Sequence, residues 1–408
     1  MNYRKYISLL AGGICAFSAY GFESTKVLPQ GVRNIDFRNV GTNIKEYGNE
    51  SGSRVNPAWK LNRDLKFSDI IKGYDGMKKS QFKAFLAAKN IDESDAAGRF
   101  SADLNGRMDV FAPVFAYGLS DKITLAMAVP FYSGSTDLEV GFIPGAGAAN
   151  IVANLANPIT NQMASAIEAA QKINDATGNL KDKLQDNGYS SIAPWEDSNL
   201  GDVQLVAKYL FMDGENLKSA LQAGFVLPTG RVDDSDILQD LPFGDGQPDI
   251  IVGLSFDQPL GAGFVLNEFG KYTYQLASTK TVRAVTPDES IEVSNEKMNF
   301  KLGDKIDAGI SLQLEKPNGF VAGFGGTYFS KYGDRYETDN KLVKNELEKN
   351  KNAESTFAEF KLGYSTLPLY QSGKFPVPFS LTMEYKKQFR AVNSIVTDFT
   401  QIDFNVFF

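Results

Sequence analysis

The sequence predicts an all-β fold, namely a transmembrane antiparallel up-and-down β-barrel of about twelve strands, with helical segments in long extracellular loops. Three observations lead to this prediction. The C-terminal residues alternate between apolar and polar side chains, and further segments repeat that alternation between turn residues. In addition, no stretch after residues 1–21 offers the ~18 consecutive apolar residues that a membrane-spanning helix needs.

The closing strand is predicted at residues 395–408. One of its faces carries Phe404, Val406 and Phe408, and the other face is mostly polar. A barrel pairs its last strand with its first, so that no strand edge stays unpaired in lipid. A terminal phenylalanine on an alternating strand also resembles the assembly signal of bacterial outer-membrane proteins. We therefore expect these three residues to close the barrel and to be recognised by the outer-membrane assembly machinery.

The N-terminal residues 1–21 have the parts of a secretory signal peptide. A positively charged start and an apolar run precede the small-x-small cleavage site Ala19-Tyr20-Gly21. We expect residues 22–408 to form a barrel in the bacterial outer membrane, in contact with outer-membrane lipid. Cys15 is the one cysteine of the sequence and lies in the signal peptide, so the exported chain has no disulfide.

The sequence contains no histidine, which limits its chemistry. Hydrolase sites built on Ser–His or Asp–His pairs cannot form, and neither can histidine-based zinc sites. Thiolate metal sites are excluded once the signal peptide is removed. We therefore predict no enzyme activity, no cofactor and no metal. The net charge of −7 comes without a basic patch, so nucleic acid is not an expected partner.

The first strand is predicted at residues 32–44, with Ile35 and Phe37 on its apolar face. Residues 45–100 follow as a long loop with a short helix near residues 80–89. The apolar stripe of this helix consists of Phe82, Phe85 and Leu86. Two interpretations fit this stripe: a helix that caps its own loop, which we favour because the stripe is short, or a helix that lies on a membrane surface.

A hairpin is predicted next, with strands at residues 108–117 and 122–132 around a tight turn. The strand pattern then stops, and residues 133–198 are predicted to form a long helical loop with a helix at 158–185. Loops of this length are usually functional or disordered. The loop is either a lid or plug folded into the lumen, or a solvated loop helix.

The next strands are predicted at residues 203–211, 221–227, 250–256 and 264–276. The connection 229–249 is rich in aspartate, which fits either a Ca²⁺ site or a solvated acidic loop. We favour the acidic loop because no EF-hand spacing with a closing glutamate is present. Glu268 falls on the apolar parity of its strand, and a β-bulge there would restore the register. Residues 277–302 are predicted to be a polar loop.

The remaining strands are predicted at residues 306–314, 320–328, 358–364 and 379–386, before the closing strand. The total of about twelve is even, as bacterial single-chain barrels require. If the first strand rises from the periplasm, the short turns at 118–121, 213–214, 259–262 and 317–319 all fall on the periplasmic side. The long loops then lie outside, which is the asymmetry expected of outer-membrane barrels.

The face opposite the apolar one is polar and mixed in charge. In a barrel these side chains point inward, where water or ion-pair partners offset their desolvation, whereas a basic residue on the lipid face costs roughly 2–4 kcal/mol. The predicted lumen-lining residues are Lys208, Asp257, Lys305, Asp307, Glu359, Lys361, Glu384, Lys386 and Asp403. They either shape the passage of a solute or brace the lumen as paired charges.

Several short stretches carry a resemblance to a known family. They are Tyr117-Gly118-Leu119-Ser120-Asp121-Lys122 with Ala128-Val129-Pro130, Leu200-Gly201-Asp202-Val203 with Ala207-Lys208-Tyr209, and Leu227-Pro228-Thr229-Gly230. These pieces resemble the outer-membrane family called "meta-pathway of phenol degradation", which is grouped loosely with barrel transporters for fatty acids and aromatic hydrocarbons. The similarity covers mainly residues 108–260.

The resemblance implies passive uptake of small, often hydrophobic molecules across the outer membrane. It implies no substrate-binding residues, because the matching pieces belong to turns and strands. The fatty-acid transporters place a hatch before their first strand, and the segment between Phe22 and Val32 is too short for one. We therefore expect any plug to come from residues 133–198.

Two functions follow from these observations. The first is an outer-membrane channel or facilitator for the passive passage of small molecules, hydrophobic or aromatic ones included, which the polar inward face and the long helical loop suggest. The second is a structural or surface-interaction barrel with no transport role, which the acidic outer loops and the small inward residues suggest.

Overall fold

The computed structural model describes residues 23–148, 164–284, 294–349 and 351–408. The predicted signal peptide and residues 158–163 of the predicted loop helix lie outside these ranges. Within them, twelve strands close into an antiparallel barrel. In chain order they are β1 (Arg33–Ile44), β5 (Ala96–Ser120), β6 (Ile123–Ala128), β9 (Val203–Asp213), β10 (Lys218–Leu227), β11 (Asp249–Gly261), β12 (Phe264–Gln275), β15 (Lys305–Glu315), β16 (Phe320–Lys331), β18 (Ala353–Ser365), β19 (Phe379–Val392) and β21 (Phe399–Phe407).

The barrel closes where its first strand meets its last one. β1 pairs with β21 on one side and with β5 on the other. Phe37 lies opposite Phe404 in this register. The backbone N–H of Arg33 donates to the carbonyl oxygen of Phe408 at 2.7 Å, and the N–H of Phe408 donates to the carbonyl of Arg33 at 2.9 Å. The predicted closure of the barrel by its C-terminal strand is therefore confirmed.

Exposure alternates along the barrel strands. In β11, Ile250, Val252 and Leu254 are exposed, whereas Asp249 and Ser255 on the other face are buried. The exposed apolar side chains of all twelve strands form an outer belt, which is the surface expected to contact lipid. None of the helices in the described ranges is long and apolar enough to cross a bilayer.

Part of the wall rises above this belt. The outward residues of β5 change from Phe115 and Phe111 to Arg107 and Asp103 toward its extracellular end. Two further strands extend the wall at this height, β7 (Phe131–Pro144), which pairs with β5, and β8 (Trp195–Leu200), which pairs with β7. The strand pattern therefore does not stop at Ser133 as predicted. Its outward side chains are mostly polar, with Ile143 as an exception, so the outward apolar signal is weak there. We infer that this part of the wall lies above the lipid.

The short connections lie at the same end of the barrel as Arg33, where β1 begins, and Phe408. They comprise residues 121–122, 214–217, 262–263 and 316–319, together with residues 366–378, which include the helix Leu367–Gln371. The longest connections all lie at the opposite end. The predicted asymmetry between short periplasmic turns and long extracellular loops is confirmed, with turn bounds that shift by up to three residues.

Helices from two extracellular loops form a cap. The first loop contributes Phe67–Lys72 and Gly76–Ala88, and the second contributes Ala164–Asn174. The stripe of Phe82, Phe85 and Leu86 is buried against Phe67, Tyr74 and the alanine-rich face of the second loop's helix. The stripe therefore packs against other loop helices, and the interpretation as a membrane-surface helix is wrong.

The first two extracellular loops also contain short elements and a second helix. They are β2 (Glu46–Gly48), β3 (Arg54–Val55), a 3₁₀ turn Trp59–Leu61, β4 (Asp64–Lys66) and the helix Ala176–Asp186. β2 pairs with β20 (Ser394–Val396), which precedes the closing strand. Strand β21 itself begins at Phe399, later than the predicted closing strand.

The predicted polar loop at residues 277–302 contains a β-hairpin. Its strands are β13 (Ser278–Ala284) and β14 (Ser294–Lys301), and β14 also pairs with β17 (Arg335–Tyr336). The side chains of Met298, Phe300 and Tyr336 pack against the helix Lys341–Glu348 to form a small extracellular core. Few apolar residues form this core, so its alternation is too weak to predict the hairpin.

Glu268 lies on the outer belt without a β-bulge. The pairing of β12 with β15 runs unbroken from Phe264 to Thr273, with Glu268 opposite Ile310. On the other side of β12, Glu268 lies opposite Phe256. The predicted bulge is wrong, because both hydrogen-bond ladders continue through this position and keep the carboxylate facing outward.

Candidate functional site

The inward face of the barrel is the candidate functional site, and it has two parts. The lower lumen lies at the level of the belt and is lined mostly by polar residues. The upper lumen lies at the level of β7 and β8 and is lined by apolar residues. All nine predicted lumen-lining residues lie on inward positions of their strands, toward or within the lower lumen.

Most of the lower-lumen charges are paired along the wall. Lys386 and Glu359 on adjacent strands lie 2.7 Å apart, and Lys361 and Glu384 lie 3.2 Å apart. Both carboxylates are almost fully buried. Ion pairs between neighbouring strands keep the charges against the wall, which leaves the centre of the barrel free of them.

Arg38 connects the first strand to the last one inside the lumen. Its Nε donates to Asp403 at 3.0 Å, and its Nη2 donates to Asp36 at 2.8 Å. The amide of Gln401 donates to Asp403 as well, at 2.8 Å. Arg38 and Asp36 are not among the predicted lumen-lining residues. Their inward parity on β1 is the signal that would have added them to the lumen-lining set.

Two buried carboxylates on this wall have oxygen atoms without hydrogen-bond partners among the described residues. They are Oδ1 of Asp36 and Oε2 of Glu384. Both atoms are shielded from solvent, and a buried acceptor without a partner is costly. The pairing of the wall's charges is therefore incomplete at these two positions.

Lys305 links the barrel wall to a loop folded into the lumen. Its Nζ lies 3.6 Å from Asp245 and 3.7 Å from Asp249. The amide of Gln275 donates to Asp245 at 3.0 Å. The neighbouring predicted residue Asp307 pairs with Lys271 at 3.3 Å. The wall of β12 and β15 thus fixes the base of residues 228–248, which we call the inner loop.

The inner loop fills the upper lumen with apolar side chains. Leu238, Leu241 and Phe243 are buried, and Phe243 is 0% exposed. The ring of Phe243 stacks on Tyr132 with the centroids 5.7 Å apart, and it also contacts Trp195. These contacts form one apolar cluster with the walls of β1, β5 and β7. This part of the lumen is packed as the core of a soluble protein is packed.

The aspartates of the inner loop are only partly solvated, since Asp240 and Asp245 are buried whereas Asp234 is exposed. The predicted solvated acidic loop therefore describes only part of this connection. Asp240 is 1% exposed and accepts from both terminal nitrogens of Arg231, at 2.9 and 2.6 Å. Asp236 pairs with Arg283 at 2.5 Å. The hydrogen bonds and charge of Asp240 raise the pKa of Arg231 further above its usual value. Arginines and lysines neutralise the loop, and the described residues contain no cluster of three metal-binding side chains.

The second loop contributes to the upper lumen and to the cap. The helix Ala176–Asp186 places Leu184 in the apolar cluster of the upper lumen, and Tyr189 follows it there. The helix Ala164–Asn174 lies in the cap instead. The structure thus places part of the predicted 133–198 loop over the barrel and part of it inside.

The lower lumen is crossed by the segment that precedes β1. Residues 23–31, which we call the strap, enter the periplasmic end of the barrel. Thr25 donates its N–H and its hydroxyl to Asp257, at 3.0 and 2.6 Å. Lys208 donates to the carbonyl of Ser24 at 2.9 Å. Two predicted lumen-lining residues therefore hold the strap.

Further contacts carry the strap across half of the barrel. The N–H of Leu28 donates to the hydroxyl of Thr124 on β6 at 2.7 Å, and Lys26 pairs with Glu315 on β15. The expectation that any plug comes from residues 133–198 is therefore only partly right. Leu184 and Tyr189 of that segment lie in the upper lumen, but the strap and the inner loop occupy the lumen as well. A strap of this length spans about 30 Å when extended, so it can cross the lumen without folding into a hatch.

The fold is similar to that of one solved outer-membrane channel, and two further structures are more distant. The COG4313 outer membrane channel from Pseudomonas putida F1 is similar over 95% of this chain and 100% of its own, with a TM-score of 0.52 and 12% sequence identity. The Pseudomonas putida toluene transporter TodX covers 93% of this chain at a TM-score of 0.32, with 12% identity and 89% of its own chain. A Pseudomonas aeruginosa FadL homologue covers 93% at 0.33, with 8% identity and 90% of its own chain. No protein-family model matches the chain, and no curated protein matches it.

Proposed function

We propose that this protein is an outer-membrane channel for the passive passage of small molecules. The observation that carries the proposal is that the lumen is closed by chain segments and not by the wall. The wall keeps its own charges paired along its inner surface. The strap occupies the lower lumen and is held by a few polar contacts to the wall. The inner loop occupies the upper lumen, with polar contacts at its base and an apolar cluster above them. The strap, which has few contacts, is the segment that can be displaced while the barrel stays intact.

The membrane follows from the belt and the sequence signals. A closed barrel with an apolar outer surface and short turns at one end has the form of bacterial outer-membrane proteins. The predicted signal peptide at residues 1–21 would export the chain. We propose that Phe404, Val406 and Phe408, whose alternate positions on and beyond β21 face outward, are recognised by the assembly machinery.

The two sides of the lumen suggest the class of solute. Inward positions of β5, β6 and β9 carry small apolar residues such as Ala112, Ala126 and Val206, whereas β1, β19 and β21 carry charges. A small apolar or aromatic molecule with one polar group would contact both sides at once. We therefore propose such molecules as solutes, in keeping with the role that the family resemblance implies.

The strap provides the sharpest test of this function. The exported chain contains no cysteine, so Thr25→Cys with Asp257→Cys introduces a single pair that a short thiol crosslinker can join. We expect deletion of residues 23–31 to increase conductance in planar bilayers and the flux of small aromatic molecules into liposomes. We expect crosslinking of the cysteine pair to reduce both, and cleavage of a reducible crosslink to restore them.

A control variant separates the effect of the crosslink from the effect of losing the native contacts. The single substitution Asp257→Cys removes the acceptor of Thr25 and cannot be crosslinked to the strap. It should behave as the open form whether or not crosslinker is present. If no variant, including the strap deletion, shows conductance or solute flux, the channel function is ruled out. The structural barrel with no transport role is then the function that fits.

The structural barrel has one observation in its favour. The upper lumen is filled by a continuous apolar cluster with Leu241 and Phe243 at its centre. If this core never opens, deletion of the strap will not change permeability. Deletion of extracellular loop residues would then abolish binding to a partner on the cell surface while permeability stays the same.

A further inference from the structure

A groove on the outer surface crosses the seam where the barrel closes. It has a volume of about 520 Å³ and lies over β1, β5, β6 and β9. Its apolar lining includes Ile35, Phe115, Leu125, Met127, Leu205 and Phe408. Strands lie about 4.8 Å apart, so the groove is about 14 Å long across these four strands.

Arg33 lies at the periplasmic end of this groove. It is the first residue of β1, and it has the outward parity of Ile35. Its side chain is exposed, and no ion pair involves it in the part of the chain that the structure describes. Its backbone is fixed by the ladder to Phe408, with hydrogen bonds of 2.7 and 2.9 Å. A cation is therefore held at the mouth of an apolar groove, at the level where the belt ends.

We propose that the groove binds a glycerophospholipid of the periplasmic leaflet, with its phosphate on Arg33 and an acyl chain along the groove. A guanidinium group presents two parallel N–H donors that match phosphate oxygens. The short turns place Arg33 at the headgroup level of the periplasmic leaflet, whereas lipopolysaccharide occupies the opposite leaflet. This inference goes beyond the channel function and does not depend on it.

Arg33 contributes more to the choice of ligand than the apolar lining of the groove does. An acyl chain that leaves other lipid tails for the groove exchanges one apolar environment for another, so burial alone does not hold it. The pairing of phosphate with Arg33 is the interaction that distinguishes this position from the rest of the belt. The chemistry therefore predicts retention of a phospholipid by Arg33, in a stoichiometry of one for each barrel.

Native mass spectrometry of the detergent-purified protein tests the proposal. The wild-type protein should retain one phospholipid, and Arg33→Gln should reduce its occupancy about tenfold or more. Arg33→Lys keeps the charge but loses the planar pair of donors, so it should give an intermediate occupancy. The matched control is Lys316→Gln, which removes one positive charge at the same rim, where Lys316 donates to the carbonyl of Ala262 at 3.1 Å.

Four outcomes would overturn the proposal. They are no bound phospholipid in the wild-type protein, lipopolysaccharide in its place, equal retention by Arg33→Gln, and equal loss in Lys316→Gln. Circular dichroism confirms that each variant has kept its β-structure before its lipid is counted. Arg33→Lys leaves the proposal testable if Arg33→Gln does not fold.

Discussion

The lower and upper lumen are built on different physical principles inside one continuous wall. In the lower lumen, buried ion pairs such as Lys386–Glu359 hold the inward side chains in place. In the upper lumen, apolar contacts around Phe243 do so, and the outward side chains of the wall there are mostly polar. The difference teaches that the surroundings of a strand decide which of its faces is apolar. The apolar face points outward where lipid surrounds the wall and inward above it.

The largest expected effect comes from the upper lumen. Phe243→Ala should destabilise the protein by about 3–5 kcal/mol, because it leaves a cavity among Tyr132, Trp195 and Arg231 that they cannot fill. Thermal unfolding in detergent, together with limited proteolysis of the inner loop, measures the loss. Phe389→Ala is the control, because that ring is 65% exposed. An equal effect of both substitutions would contradict a packed core in the upper lumen.

A smaller effect is expected from the lower lumen. Lys386→Met leaves Glu359 buried without its ion-pair partner and should cost about 2–3 kcal/mol, less than in a dry core because water can enter the lumen. The double variant with Glu359→Gln should recover most of this loss. The neighbouring Lys387→Met is the control, since its pair with Asp398 is far more exposed. A double variant as unstable as the single one would show that the pair does not stabilise the wall.

Acid should weaken the extracellular end of the wall. Burial alone would raise the pKa of Asp334, but Lys331, Lys351 and the N–H of Gly303 hold it below the usual value. A carboxylate whose pKa is lowered in the folded state stabilises that state at neutral pH. This contribution is lost as the pH falls from the pKa of the unfolded state, about 4, through the lower pKa of the folded state. The stability difference between wild type and Asp334→Asn should therefore narrow in acid. Unfolding at pH 7 and at stepwise lower pH measures it, and a constant difference would contradict the assignment.

The smallest effect is expected on the outer belt. Glu268→Leu should stabilise the barrel by about 1 kcal/mol, because a carboxylate facing lipid costs less than a basic residue but more than an apolar one. Reversible unfolding in lipid vesicles measures the gain. Glu268→Gln keeps the shape without the charge, so it separates the charge from the packing. A loss of stability in both variants would show that the carboxylate has a partner on the belt.

Much of the wall could be predicted from the sequence, because lipid acts on each outward residue individually. The alternation that ends in Phe404, Val406 and Phe408 shows this directly. The upper lumen could not be predicted, because Leu241 and Phe243 are isolated in a loop rich in aspartate and glycine and follow no period. The strap was missed because its contacts are remote in the chain: Thr25 and Asp257 are 232 residues apart. Glu268 was placed wrongly because the rule that lipid excludes charge was applied without weighing the two unbroken ladders of β12.

The position of the strap imposes an order on how the molecule is assembled. Residues 23–31 come before β1, yet their partners belong to β6, β9, β11 and β15. They cannot reach their final place until most of the later strands have joined. The part of the described chain that is synthesised first is thus among the last to reach its folded position. The periplasmic end of the barrel must therefore stay open during assembly until the strap has entered it.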